Sequence, residues 1–128
     1  MPPCRVLIVD DDPPFLEVLA DMFNGRGYDV CRASGPREAL DMIQNHTPFD
    51  LVLSDVAMQE MQGTDLVREI VHLRPKIACV LMTGGLFDAT QLPPGIQLLH
   101  KPFLRSDLFG TIQQAIATSQ SREQSFLD

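Results

Sequence analysis

Short apolar runs alternate along this chain with longer segments in which apolar residues recur every three or four positions. These are the patterns of strands buried on both faces and of helices with one inward face. Residues 6–9, Val-Leu-Ile-Val, predict a first strand. Asp12-Pro13 then offers an N-cap and a proline suited to the first helical position, ahead of Leu16, Leu19, Ala20 and Phe23 at helical spacing. Gly25-Arg26-Gly27 supplies the stop. Residues 28–33 predict a second strand, and Ser34-Gly35-Pro36 with Glu38 predicts the entrance to a helix carrying Ala39, Leu40 and Ile43. That helix ends across Asn45-His46-Thr47-Pro48. Residues 51–54 form a third strand, and a helix from about Thr64 carries Leu66, Ile70 and Leu73 before stopping ahead of Pro75. Residues 77–82 and 96–99 predict two more strands, and the glycines and prolines of 84–95 leave room only for a short fourth helix between them. Ser106-Asp107 opens a last helix with Leu108, Ile112, Ala115 and Ile116 inward, and the polar residues beyond Ser119 predict a frayed tail.

Five strands alternating with helices at short connections imply an open, doubly wound α/β fold: a five-stranded parallel sheet with helices on both faces. One domain over 1–119 and a polar tail over 120–128 are expected. In such folds ligands sit beyond the carboxyl ends of the strands. Strand after strand ends there in a polar residue: Asp10-Asp11-Asp12, Ser54-Asp55, Thr83-Gly84-Gly85 and His100-Lys101-Pro102. The fold is therefore expected to gather Asp10, Asp11, Asp55, Thr83 and Lys101. Two like charges ~4 Å apart repel by about 4 kcal/mol at an effective dielectric near 20, so clustered carboxylates call for a cation. An all-oxygen donor set without His or Cys suits Mg²⁺, or Mn²⁺, rather than zinc. A carboxylate in that setting can hold the metal for another substrate or itself attack a phosphoryl group, with Lys101 offsetting the phosphoryl charge and Thr83 bonding one of its oxygens.

Composition narrows the partners. A net charge of −7 argues against nucleic acid and anionic membrane surfaces, both of which need basic patches. Cys4, Cys31 and Cys79 form no CxxC pair and suggest neither zinc site nor disulfide framework; Cys31 and Cys79 are expected as buried thiols in a reducing cytoplasm. No signal-peptide region or membrane-spanning run is present in the sequence, so secretion and membrane insertion are not expected. His46, His72 and His100 share no ligand spacing and are expected as solvated or capping residues. Phe103, Leu104 and Phe109 are expected mostly in the core, and Met58 and Met61 against the loop after Asp55.

Taken in this order, each at a strand end, Val9-Asp10-Asp11, Asp55 with Met58 and Gly63 downstream, Thr83-Gly84 and Lys101-Pro102-Phe103 resemble the response-regulator receiver domains of two-component signalling. The resemblance covers about residues 6–117. It implies a flavodoxin-like strand order 2-1-3-4-5 and a signalling switch rather than an enzyme. It implies that Asp55 accepts a phosphoryl group from a histidine kinase or histidine phosphotransfer protein. It further implies that Asp11 and Asp55 bind Mg²⁺ directly and Asp10 largely through water, with the backbone carbonyl of Ala57 as a further ligand. Lys101, preceding a cis proline, would pair with the phosphoryl group, and Thr83 would move toward it. With no effector in the sequence, output is expected by protein–protein contact, or through a longer hybrid kinase or regulator of which this is a piece. The chain departs from the family at Leu98, where an aromatic is usual, at Gln59, where proline is usual, and in the shortened segment between Thr83 and Lys101. Small residues at Ala57 and Gly85 predict water access and a fairly short-lived phosphoryl group.

Two other readings use the same residues. Asp10-Asp11-Asp12 satisfies the DxD pattern of haloacid-dehalogenase-type phosphohydrolases with Asp10 as nucleophile, but Pro14 stands where that family expects threonine and there is no room for a cap domain. A docking module that is never phosphorylated is the other, and the intact Asp, Thr and Lys set argues against it.

Overall fold

The computed structural model describes residues 4–45 and 48–127, with side chains as far as Ser121. Its sheet is built from β1 (Arg5–Val9), β2 (Asp29–Ala33), β3 (Leu51–Asp55), β4 (Ala78–Thr83) and β5 (Gln97–His100). They are parallel throughout, in the order β2-β1-β3-β4-β5. The helices are α1 (Pro13–Asn24), α2 (Pro36–Gln44), α3 (Gly63–Leu73) and α4 (Arg105–Leu127). β1 pairs with β2 through Leu7 and Cys31 and with β3 through Leu7 and Val52. The chain thus reverses its direction of growth at β1, and the crevice at the carboxyl ends of β1 and β3 is the switch point where such sheets bind ligands.

The two-residue period of the strands divides the core. Val6, Ile8, Leu51, Leu53, Val80 and Met82 face α1 and α4, where they meet Leu19, Phe23, Leu108 and Ile112. Leu7, Val9, Val52, Cys79 and Leu81 face α2 and α3, where they meet Ala39, Ile43, Leu66 and Ile70. Because β1, β3 and β4 are covered on both sides, they read in the sequence as unbroken apolar runs. α1 starts where expected, with Asp12 accepting from the Phe15 amide at 3.4 Å and prolines in the first turn. It is followed by Gly27 at φ 82°, a left-handed position that favours glycine.

Several elements differ from expectation. β3, β4 and β5 each run one residue further than the apolar run, so Asp55, Thr83 and His100 are the last residues of their strands. The short helix expected in 84–95 is a single 3₁₀ turn at Ala89–Gln91, capped by Asp88 through the Thr90 amide at 3.0 Å. α4 does not fray after Ser119 but continues to Leu127. No glycine or proline follows Gly110 to stop it, and the buried Ser119 hydroxyl donates to the Ile116 carbonyl at 2.9 Å. Leu104 is 70% exposed rather than core, and Cys31 is only half-buried. His72 and His100 are exposed, whereas His46 lies outside the described residues. Among the described residues no helix is long and apolar enough to cross a membrane.

Candidate functional site

The site is assembled from strand ends. Asp10 follows β1 directly and donates its amide to the Ala33 carbonyl of β2 at 3.2 Å, which turns the side chain under the sheet edge. It is 1% exposed, and its two oxygens are both engaged: Oδ1 accepts from the Asp12 amide at 3.0 Å and Oδ2 from the Lys101 ammonium at 2.9 Å. Asp55 closes β3 opposite Met82 of β4. The turn after it is pinned by the Val56 amide on the Met82 carbonyl and the Gly63 amide on the Val56 carbonyl, both 2.8 Å. Gly63 is required by this close approach. A Cβ there would overlap the Asp55 carbonyl oxygen and reach within 3.0 Å of its carbonyl carbon and of Leu81 Cδ2. The buried Ser54 hydroxyl donates to the same carbonyl at 3.0 Å, fixing the backbone from the other side.

Lys101 arrives from β5. Its amide donates to the Thr83 carbonyl at 2.8 Å, and the Lys101–Pro102 peptide bond is cis. Its ammonium sits 2.9 Å from Asp10 Oδ2 and 3.4 Å from Asp55 Oδ1, bridging two carboxylates, and 4.1 Å from the centre of the Phe15 ring. One oxygen each from Asp10, Asp11 and Asp55 lies within 4.8 Å of the others. Three acids cluster with one ammonium, which pairs with two of them. Burial, then repulsion from Asp10, pushes the Asp55 carboxyl above the usual range; Lys101 pulls the other way, and Asp11 adds to the rise. For Lys101, burial alone lowers the ammonium, but the hydrogen bond and charge of Asp10, followed by Asp55, outweigh it and hold the group above its ordinary value. The all-oxygen donor set fits a hard divalent cation such as Mg²⁺.

Of the residues singled out from sequence, Asp10, Asp11, Asp55 and Lys101 are brought together. Thr83 is at the adjacent strand end, but its buried hydroxyl is turned to its own loop, donating to the Gly85 carbonyl and accepting from the Gly85 amide, both at 3.3 Å. Ala57 is exposed two residues past Asp55. Phe15 was missed. The available signal was an aromatic in the first turn of the helix that leaves the acidic strand end. Leu98 is half-buried and packs on the α2/α3 side of the core.

Residues 6–113 match the family described as response regulator receiver domain. The chain belongs to that family. Among curated relatives the receiver is 34% identical over 120 residues to the transcriptional regulatory protein ZraR of Escherichia coli K12, covering 91% of this chain and 27% of that protein. It is 28% identical over 116 residues to the response regulator receiver protein CpdR of Brucella abortus, covering 88% of this chain and 96% of the relative. The receiver thus spans about a quarter of the length of the ZraR relative and nearly all of CpdR. A receiver domain protein (CheY-like) from Methanospirillum hungatei superposes with a TM-score of 0.80 at 27% identity, covering 93% of this chain and 98% of the other. A receiver protein from Sinorhizobium medicae, 22% identical, has the same fold with a TM-score of 0.84, covering 91% and 97%. The receiver is a two-component signalling domain, and its five-stranded 2-1-3-4-5 sheet is the flavodoxin-like one of those structures.

Proposed function

We propose that Asp55 is the phosphoacceptor of this receiver, taking a phosphoryl group from a phosphohistidine on a kinase or histidine phosphotransfer protein. A carboxylate oxygen of Asp55 attacks phosphorus and the P–N bond breaks. Its electron pair returns to the imidazole nitrogen, which takes up a proton, and an acyl phosphate remains. The observation that carries this reading is the Lys101 ammonium, 2.9 Å from Asp10 and 3.4 Å from Asp55. That ammonium stands where a phosphoryl oxygen on Asp55 would meet it. Asp11 and Asp55, with Asp10 through water and the carbonyl of Ala57, would hold Mg²⁺ or Mn²⁺, which supplies stabilisation of charge on the phosphoryl oxygens. Thr83, freed from Gly85, would bond one of those oxygens.

Phe15 meets Phe103 edge-on at 6.2 Å, tying the start of α1 to the loop before α4. Exposed Val18 and Leu104 flank that pair and would form the apolar surface on which the phosphohistidine partner docks. A charge placed at Val18 is expected to slow transfer from a phosphohistidine donor more than labelling by a small phosphodonor; equal slowing refutes that surface. The acceptor itself is tested by labelling with phosphoramidate and Mg²⁺. Asp55→Asn is expected to abolish labelling. Labelling retained in Asp55→Asn but lost in Asp10→Asn favours the phosphohydrolase-like alternative.

A further inference from the structure

We infer that Phe15 is a positioning residue for phosphoryl transfer, its ring face holding the Lys101 ammonium in the place from which it meets the phosphoryl oxygens. This rests on the phosphoacceptor reading above. An ammonium has three donors. One is directed at Asp10 Oδ2 at 2.9 Å and one at Asp55 Oδ1 at 3.4 Å. The remaining side of the group faces the Phe15 ring, 4.1 Å from its centre, a distance at which the ring quadrupole attracts a cation.

The ring is itself fixed from two directions. Asp12 caps α1 on the Phe15 amide, so the side chain leaves the first turn toward the strand ends. Phe103, two residues beyond Lys101, meets the ring at 85°. Ring and ammonium are thus referenced to the same backbone segment. Lysine is a flexible point charge whose rotamer freedom has to be lost before it can serve a transition state. An aromatic face limits that freedom without offering an oxygen that would compete with the phosphoryl group. It therefore keeps Lys101 close to Asp55 while leaving it free to exchange the Asp55 oxygen for a phosphoryl oxygen.

The test is labelling of the full chain by phosphoramidate with Mg²⁺, followed by intact mass, beside NMR of the Lys101 side chain. Phe15→Leu removes the ring face but keeps an apolar side chain, and it is expected to slow labelling about three- to tenfold. Phe15→Tyr restores the face and is expected to recover the rate to within about twofold. In the wild type and Phe15→Tyr the Lys101 methylene protons next to the ammonium resonate upfield under the ring current; in Phe15→Leu they return to ordinary positions. A packing role alone would make leucine and tyrosine equivalent in rate or favour leucine; the resonances report that the ring lies over the ammonium. Equal rates for Phe15→Leu and wild type, or Phe15→Tyr as slow as Phe15→Leu, overturn the inference. Should Phe15→Leu not unfold cooperatively, Phe15→Met takes its place. Labelling that survives Asp55→Asn sinks the phosphoacceptor reading instead, and the ring-current shift then decides the Lys101 contact independently.

Discussion

Asp55 is placed at a cost to the fold, and that cost is measurable. Oxygens of Asp10 and Asp11 lie within 4.8 Å of it, so each repels its charge by at least about 3.5 kcal/mol at an effective dielectric near 20. Lys101 at 3.4 Å returns about 5 kcal/mol on the same scale. The charge–charge balance is about 2 kcal/mol against the ionised acid; burial adds to it, while solvent and salt at the open rim subtract, leaving about 1–2 kcal/mol. Asp55→Asn keeps the shape and removes the charge, so in metal-free buffer near pH 7 it is expected to be more stable than the wild type by that amount. For a domain of this size that is about 3–10 °C in melting temperature.

The sign with pH follows from the raised carboxyl of Asp55. Below the unfolded-state value both states carry the proton and the acid costs nothing. As pH rises to the folded-state value, only the unfolded chain ionises freely, and stability is lost. The gap between Asp55→Asn and wild type is therefore expected to open as pH rises through the carboxylate range and to stay open above it. Mg²⁺ at ten times its dissociation constant adds about 1.4 kcal/mol to whichever form binds it, so it narrows the gap by favouring the wild type. Thermal melts of both proteins across pH, with chelator and with Mg²⁺, make the measurement. An Asp55→Asn variant that melts at or below the wild type in chelator at pH 7 refutes the charge balance assigned to the site.

Two substitutions and one lifetime probe the neighbouring contacts. Gly63→Ala drives a methyl group against the Asp55 carbonyl and is expected to cost about 2 kcal/mol in denaturant unfolding and to slow phosphoramidate labelling, since it moves the backbone of Asp55. Lys101→Met leaves Asp10, 1% exposed, without its counter-charge and is expected to cost about 2–3 kcal/mol in chelator, with part of the loss restored by Mg²⁺. Exposed Ala57 and Gly85 leave Asp55 open to water, so an acyl phosphate there is expected to be fairly short-lived; a half-life of many hours in Mg²⁺ would contradict this.

Much of the fold and most of the site could be read from the chain because parallel strands covered on both faces leave long apolar runs. The polar residue that ends each run then marks the binding edge. Asp10, Asp11, Asp55 and Lys101 are legible for that reason, and none of them depends on a side-chain orientation that the sequence conceals. Phe15 was not legible. Its partner Lys101 follows the far strand β5, and an aromatic at a helix start reads as core until the two are superposed. Leu104 misled in the opposite sense, since its neighbour Phe103 turns in toward Phe15 while the loop into α4 turns Leu104 out. The length of α4 was hidden because a polar run without glycine or proline is equally compatible with a tail and with a solvated helix; no apolar stripe distinguishes them.

The Thr83 hydroxyl makes two bonds to Gly85, each 3.3 Å long, which is at the weak end of the range. At most about 1 kcal/mol attaches to each, so leaving Gly85 for a phosphoryl oxygen costs little against a charge-assisted bond. On making that exchange Thr83 would release its own loop. Gly85 has open space on its Cα and Leu86 is fully exposed. Leu98, paired with Leu81 and packed on the α2/α3 core, has no ring to turn and no polar atom to exchange. With a phosphoryl group on Asp55, release of the backbone after Thr83 is therefore the expected first consequence, since Leu98 offers no aromatic ring to move. Thr83→Ala should mimic that release without any phosphoryl group. The Gly85 amide, bonded to the Thr83 oxygen in the wild type, is expected to exchange its hydrogen about fivefold faster in Thr83→Ala, the factor matching about 1 kcal/mol, while Thr83→Ser stays near the wild type. Equal Gly85 exchange in the wild type and Thr83→Ala would show that the hydroxyl does not hold the loop, and the path from Asp55 to the segment after β4 would have to run through another residue.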